Sequence, residues 1–215
     1  MDFTVIDVGL VAKLLLLLLV GMGPKIALVP FLEMTQAFDA KTKAAIGRQM
    51  VLTAVVTALI IFATGALLMR LLHITGGAVA IAGGIVLALL ALKMAAGPTE
   101  KHHDDLGMPV DPAKIAVFPL AVPYMLNPVG ITVLIIASDE VVSIASAGLV
   151  VGLVLLVAAF DYLVFTNIDA LAKRMKPASL VISEVVFGIL LTAVAVQLFV
   201  TGLVNLGIVT ANVEH

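Results

Sequence analysis

Charge is what this chain has least of. Only 12% of its 215 residues are Asp, Glu, Lys or Arg, twelve of them basic and fourteen acidic, where a soluble domain carries roughly 25%. So few charges cannot coat a water-facing surface of this size, which excludes a soluble globular enzyme. Cysteine is absent, and with it any disulfide framework, thiolate metal site or thiol redox chemistry. Tryptophan is absent too, so the aromatic belt that usually marks membrane interfaces would fall to two Tyr and nine Phe. The formal net charge of −2 comes without a basic stripe to meet phosphates, and no nucleic-acid partner is expected. What the chain has instead is apolar sequence: 62% hydrophobic residues and a mean hydropathy of +1.24.

A bilayer core about 30 Å thick takes about 20 apolar residues of helix. Six stretches satisfy this, over residues 8–31, 50–72, 76–96, 115–137, 145–165 and 180–206. The expected fold is an all-α membrane protein of six transmembrane helices, with the lipid bilayer as its partner. The first stretch does not read as a cleavable signal, because it opens on Asp2 and Asp7, holds only Lys13 as a basic residue and has no small-x-small cleavage pattern. Nine basic residues gather on one side: Lys41, Lys43 and Arg48 after span 1, Lys93, Lys101 and Lys114 around the 3–4 loop, and Lys173, Arg174 and Lys176 after span 5. The 4–5 loop on the other side carries Asp139 and Glu140. By the positive-inside rule both termini face away from the cytoplasm. The run Lys101-His102-His103-Asp104-Asp105 in the longest loop reads as a solvated segment rather than a metal site, since no rigid element presents it. Neither a metal nor a cofactor is expected.

One offset, 104 residues, pairs landmarks of the two halves. Gly23-Pro24 falls on Asn127-Pro128, Arg70 on Arg174, Gly84-Ile85 on Gly188-Ile189, and Ala91 on Ala195. Three spans per copy put the second copy into the membrane from the opposite side, giving two inverted repeats (1–100 and 115–215) joined by a cytoplasmic linker over 101–114. In such folds the substrate site lies near the midplane between the halves. Both copies interrupt their first helix: span 1 with Gly21, Gly23 and Pro24, span 4 with Pro119, Pro123, Asn127, Pro128 and Gly130. Proline deletes a backbone donor and clashes with the preceding turn, and glycine lowers helix propensity further. Irregular backbone at membrane depth survives only where it lines a cavity or is buried in protein, and the amides that open a half-helix favour an anion. Helices 1 and 4 are therefore expected to be broken. The candidate substrate-binding residues are Gly21, Gly23, Pro24, Lys25, Asn127, Pro128 and Gly130.

Two ionisable side chains lie within spans, Lys25 and Asp161. Each costs about 2.5–3.5 kcal/mol to insert, so a partner or a wet cavity is expected. Either Lys25 attracts a substrate carboxylate while Asp161 serves as a coupling-proton or amine site, or the two pair and hold helices together. Gly76, Ala80, Gly84 and Ala88 form a small-residue stripe in span 3 that lets another helix approach closely.

The run Ile81-Ala82-Gly83-Gly84-Ile85-Val86-Leu87, followed by Ala91-Leu92-Lys93-Met94, resembles the Ala-Gly-Gly-Ile-x-Leu run of the MarC family of six-span prokaryotic inner-membrane proteins. Pro119-Leu120-Ala121-Val122-Pro123 leading to Asn127-Pro128-Val129-Gly130-Ile131-Thr132 is similar to its Pro-Leu-Ala-Ile-Pro and Gly-Pro-Gly-Ala-Ile-Thr-Thr. The sequence departs from the family at Asn127, where Gly is usual, at Lys25, where a small or polar residue is usual, and at His73-Ile74-Thr75, in place of Gly-Ile-Ser. The resemblance implies the cytoplasmic membrane of a prokaryote and kinship with amino-acid exporters of the LysE type.

The reading that combines these features is a secondary transporter of a small solute, a neutral amino acid, working by alternating access. The alternative is an ion channel or cation transporter using the same breaks, against which the fixed charge of Lys25 argues. Enzymatic chemistry is not expected: no nucleophile–base pair is visible in the spans, and there is no Gly-x-x-x-x-Gly-Lys-Ser/Thr motif for a nucleotide. A homo-oligomer is compatible with all of this.

Overall fold

The computed structural model describes residues 8–96, 111–172 and 177–210, and the side chains of residue 169 and of residues 172–184 are left aside. The His102–His103 loop and the cluster Lys173, Arg174 and Lys176 lie outside the described residues.

Nine α-helices and one wide-turned segment make up the described chain: α1 (Val8–Met22), α2 (Pro24–Met34), α3 (Ala40–Leu72), α4 (Gly76–Ala95), α5 (Pro112–Ile115), the segment Ala116–Met125, α6 (Pro128–Glu140), α7 (Ile144–Thr166), α8 (Ile168–Ala172) and α9 (Pro177–Asn205). No strand occurs among the described residues. Helices α1–α2 together, α3, α4, α7 and the stretch Val185–Asn205 are each long and apolar enough to cross a bilayer. The pair Pro112–Met125 and Pro128–Glu140 supplies a sixth crossing if its two arms, bent by 70°, form one span.

Local chemistry sets the boundaries. Helix α3 is 33 residues long, about 50 Å at 1.5 Å per residue, well beyond the bilayer core. It starts ten residues before the expected span at Met50, because Asp39 caps it by accepting from the Lys41 N–H at 3.3 Å and from the Thr42 hydroxyl. These bonds hold the Asp39 carboxyl below its ordinary value. Lys41, Lys43 and Arg48 therefore lie on helix, not loop, and Gln49 donates to the Ala113 carbonyl in α5 at 3.4 Å. The far end of α3 closes at His73 with φ 53°, ψ 38°, a left-handed position that favours Gly and that His tolerates better than most residues.

The descent of span 4 is less regular than one broken helix. Phe118 (φ −137°, ψ 128°) and Val122 (φ −136°, ψ 123°) are extended inside the Ala116–Met125 segment, each immediately before a proline, whose ring excludes the helical region for its predecessor. Serine 143 opens α7 with a capping box: its hydroxyl accepts from Ser146 N–H at 3.1 Å, and Ser146 returns the bond to Ser143 N–H at 3.1 Å.

Leu14, Leu18, Met22, Phe31, Met50, Leu87, Leu126, Leu134 and Phe165 are fully buried, and α1, α2, α3, α4, α6, α7 and α9 share one core. The outside carries Leu52, Ile60, Leu67, Leu89, Leu156 and Leu163, a surface suited to lipid and not to water. Helices α4 and α9 run antiparallel with their backbones nearly touching. A Cβ added at Gly84 would sit 2.7 Å from the Ala195 carbonyl oxygen, one at Gly188 would sit 3.0 Å from that of Ala91, and one at Gly202 would sit 2.6 Å from that of Gly77. The stripe that makes this seam is Gly77, Ala80, Gly84 and Ala91. Gly76 faces Ile136 instead, which corrects the strict spacing of four expected from sequence.

Candidate solute site at the two helix breaks

The break in span 1 is one residue wide. Gly23 is extended (φ −70°, ψ 165°), and Pro24 opens α2. Because Pro24 has no N–H, the Val20 carbonyl four residues earlier loses its helical donor. A carbonyl stranded at that depth must find another partner.

Asn127, across the molecule, supplies it. Its side-chain amide donates to the Val20 carbonyl at 2.6 Å, and its backbone N–H donates to the Gly21 carbonyl at 2.9 Å. Its side-chain oxygen accepts from Val129 N–H at 2.8 Å and Gly130 N–H at 3.4 Å, capping α6, while its carbonyl accepts from Ile131 N–H at 3.1 Å. Asn127 is fully buried, and these five bonds engage its backbone groups and both ends of its side chain. The brace needs the backbones to touch: a Cβ on Gly130 would lie 2.5 Å from the Gly21 carbonyl oxygen. Gly21, Gly23, Pro24, Asn127, Pro128 and Gly130 thus come together as one joint between the two halves of the chain.

Lys25 does not join them. It is exposed and its ammonium stands 5.5 Å from the centre of the Phe187 ring on α9, within cation–π range. Both residues line a cavity of about 650 Å³, walled by Leu15, Leu19 and Val20 of α1, Val157 and Phe160 of α7, and Leu191 of α9. Among the described residues Lys25 is its one charged lining residue.

Asp161 sits on α7, one turn beyond Val157 of the cavity wall and one turn before Phe165, whose ring lies 5.1 Å from that of Phe31. Its carboxylate is buried, and neither oxygen has a hydrogen-bond partner among the described residues. Lys25 and Asp161 form no ion pair, so the structural-pairing alternative is overturned: the two groups occupy separate environments. No cluster of three metal-ligating side chains occurs among the described residues.

Sequence reasoning missed Phe187 and Phe160 as the walls around Lys25, because nothing in an apolar run tells lining from packing. It also missed that Asn127 reaches α1. The available signal was the pairing of Pro24, which orphans a carbonyl, with a buried Asn at the matched break.

Comparison with known proteins gives the same class throughout. A protein of Methanocaldococcus jannaschii named UPF0056 membrane protein MJ1677 is 28% identical over 184 residues, 85% of this chain and 90% of that one. A second from the same organism, UPF0056 membrane protein MJ0972, is 27% identical over 84% of this chain and 81% of its own. UPF0056 membrane protein PH0760 of Pyrococcus horikoshii is 23% identical over 89% and 94%. No solved structure matches the chain. The family model described as MarC family integral membrane protein matches residues 8–206, nearly the whole chain and both helix breaks, and the chain belongs to the MarC family.

Proposed function

We propose that this protein is a secondary transporter of a small solute, a neutral amino acid, operating by alternating access between two inverted three-helix repeats. The observation that carries this reading is the Asn127 brace. Two interrupted helices from matched positions of the chain meet in the buried interior, the arrangement by which transporters build a site near the midplane. The repeat is supported by the helix starts, since α2 opens at Pro24 and α6 at Pro128, and α3 at Ala40 and α7 at Ile144. It is supported again by the α4–α9 seam, in which Gly84 meets Ala195 and its counterpart Gly188 meets Ala91.

In this proposal the two breaks play unequal parts. Gly23 offers α2 no side-chain cap, so the amides of its first turn and the Lys25 ammonium are the groups for a substrate carboxylate. The corresponding amides of α6 are already taken by Asn127. Asp161, with no internal partner, serves the substrate amine or a coupling proton. Movement of one repeat against the other opens the brace on alternate faces. We place the protein in the cytoplasmic membrane of a prokaryotic cell with both termini outside, and assign it no catalytic group.

The unpartnered Asp161 carboxylate also supports a cation channel or cation transporter, and the same experiment separates the two. Purified protein in proteoliposomes is assayed for exchange of labelled alanine, glycine and serine with and without a proton gradient. Exchange that the gradient alters is the expected result. Well-folded protein that exchanges no amino acid would overturn the proposal, and salt-dependent conductance in its place would establish the cation reading.

A further inference from the structure

The cavity around Lys25 has a chemistry that a small zwitterion does not use up. At about 650 Å³ it lies in the range of about 300–1,000 Å³ that holds drug-sized ligands, several times what an alanine fills. Apart from Lys25, its walls among the described residues are Leu, Val, Ile, Phe and Pro. One flank is open: Leu16 is 63% exposed, Phe160 51% and Leu190 54%, and on a membrane-spanning bundle such side chains face acyl chains. A ligand that arrives through this flank must therefore be soluble in the bilayer. On the cavity wall one cation stands over the face of Phe187, with no carboxylate bonded to it among the described residues.

We infer that this cavity is a binding site for a single-chain amphipathic anion, a long-chain carboxylate whose head pairs with Lys25 and whose tail lies along α1, α7 and α9. Three features act together. The apolar wall rewards burial of methylene groups at about 0.8 kcal/mol each. The Lys25 ammonium on its wall repels a cationic head and gives a neutral one no charge-assisted contact. The lateral opening admits the ligand from lipid without passage through water. This site is separate from the Asn127 joint but shares Lys25 with the proposed substrate site, and it is tested by lipid immobilisation rather than by exchange.

Spin-labelled stearate tests it by electron spin resonance, with the intact protein in phosphatidylcholine nanodiscs under mildly alkaline conditions that keep the free acid ionised. The expected spectrum shows an immobilised stearate component in excess of that for spin-labelled phosphatidylcholine. That excess should fall about ten-fold for the methyl ester of the same label and in Lys25→Met, and persist in Lys25→Arg, as loss of one charge-assisted contact predicts. Equal immobilisation of the acid and its methyl ester by the wild-type protein would overturn the inference, a comparison that needs no variant to fold. A Lys25-dependent component seen only with spin-labelled phosphatidic acid would also overturn it, since the occupant would then be a two-chain lipid. Neither result bears on the exchange assay.

Discussion

The two helix breaks use the same device, an extended residue followed by proline, yet reach different ends. At the second break the extended residue is Asn127, whose side chain caps its own helix and reaches across to take the Val20 carbonyl. At the first it is Gly23, which has no side chain to offer, and the next turn carries Lys25 into an apolar cavity. One break is satisfied from within and ties the molecule together. The other leaves its helix start free of any side-chain cap. A pair of matched interruptions is therefore not a pair of equivalent half-sites: a single residue decides which is a lock and which is open to a ligand.

Removing the lock should have the largest effect. Asn127→Leu strands the Val20 carbonyl and the amides opening α6, at about 1–3 kcal/mol per buried unsatisfied group. Thermal unfolding in detergent should show a loss of several such units, and amino-acid exchange should vanish with it. An Asn127→Leu protein as stable as wild type would mean the brace is incidental. Next comes Gly130→Ala, whose methyl would be 2.5 Å from the Gly21 carbonyl oxygen. Forcing those backbones apart should destabilise by about 1–3 kcal/mol, the usual range for overpacking, and lower exchange without changing its proton dependence.

The open break should behave in the opposite way. Lys25→Met removes no hydrogen bond among the described residues, so stability should change by less than about 1 kcal/mol, the scale of an exposed cation–π contact. Exchange should nonetheless lose apparent substrate affinity, read as a raised half-saturation concentration that Lys25→Arg restores. Asp161→Leu exchanges a buried carboxyl with no partner for an apolar side chain, and should leave the fold unchanged or more stable while abolishing the response of exchange to a proton gradient. Unfolding of Asp161→Leu at lower temperature than wild type would show that the carboxyl has a structural role after all. The smallest effect belongs to Arg70→Ala. Its contact with Asp139 is 3.8 Å long and solvent-exposed, of the kind worth about 0–1 kcal/mol, and neither stability nor exchange should shift measurably.

Much of this was legible because apolar length and proline placement are one-dimensional signals. Gly76 and Ile144 begin helices at or within a residue of where hydropathy puts them, and Pro24 and Pro128 mark the breaks to the residue. What escaped was whatever depends on polar residues or on direction. The first ten residues of α3 read as loop, since hydropathy does not register an Asp39 cap. Pro119 and Pro123 were legible as interruptions of span 4, but not that the extended backbone falls one residue upstream of each, at Phe118 and Val122. Lys25 and Asp161 invited pairing because both lie at depth, but the sequence does not encode the rotation of α2 that turns Lys25 toward Phe187.

The seam between α4 and α9 bears on how any such protein moves. Two helices separated by interlocking side chains can slide by stepping rotamers past one another. Here Gly77, Gly84, Gly188 and Gly202 bring backbone against backbone, and the Leu206 and Ile81 side chains seat over Gly77 and Gly202, so a shift of one helix along the other would drive side chains and carbonyls into the facing backbone. Helices α4 and α9 must travel as a single plank. Since α4 belongs to the first half of the chain and α9 to the second, the seam ties the two halves together just as the Asn127 brace does, and α4 is held to α6 as well, where a Cβ on Gly83 would overlap the Thr132 hydroxyl. Any movement of one half against the other has to break these contacts or carry them along.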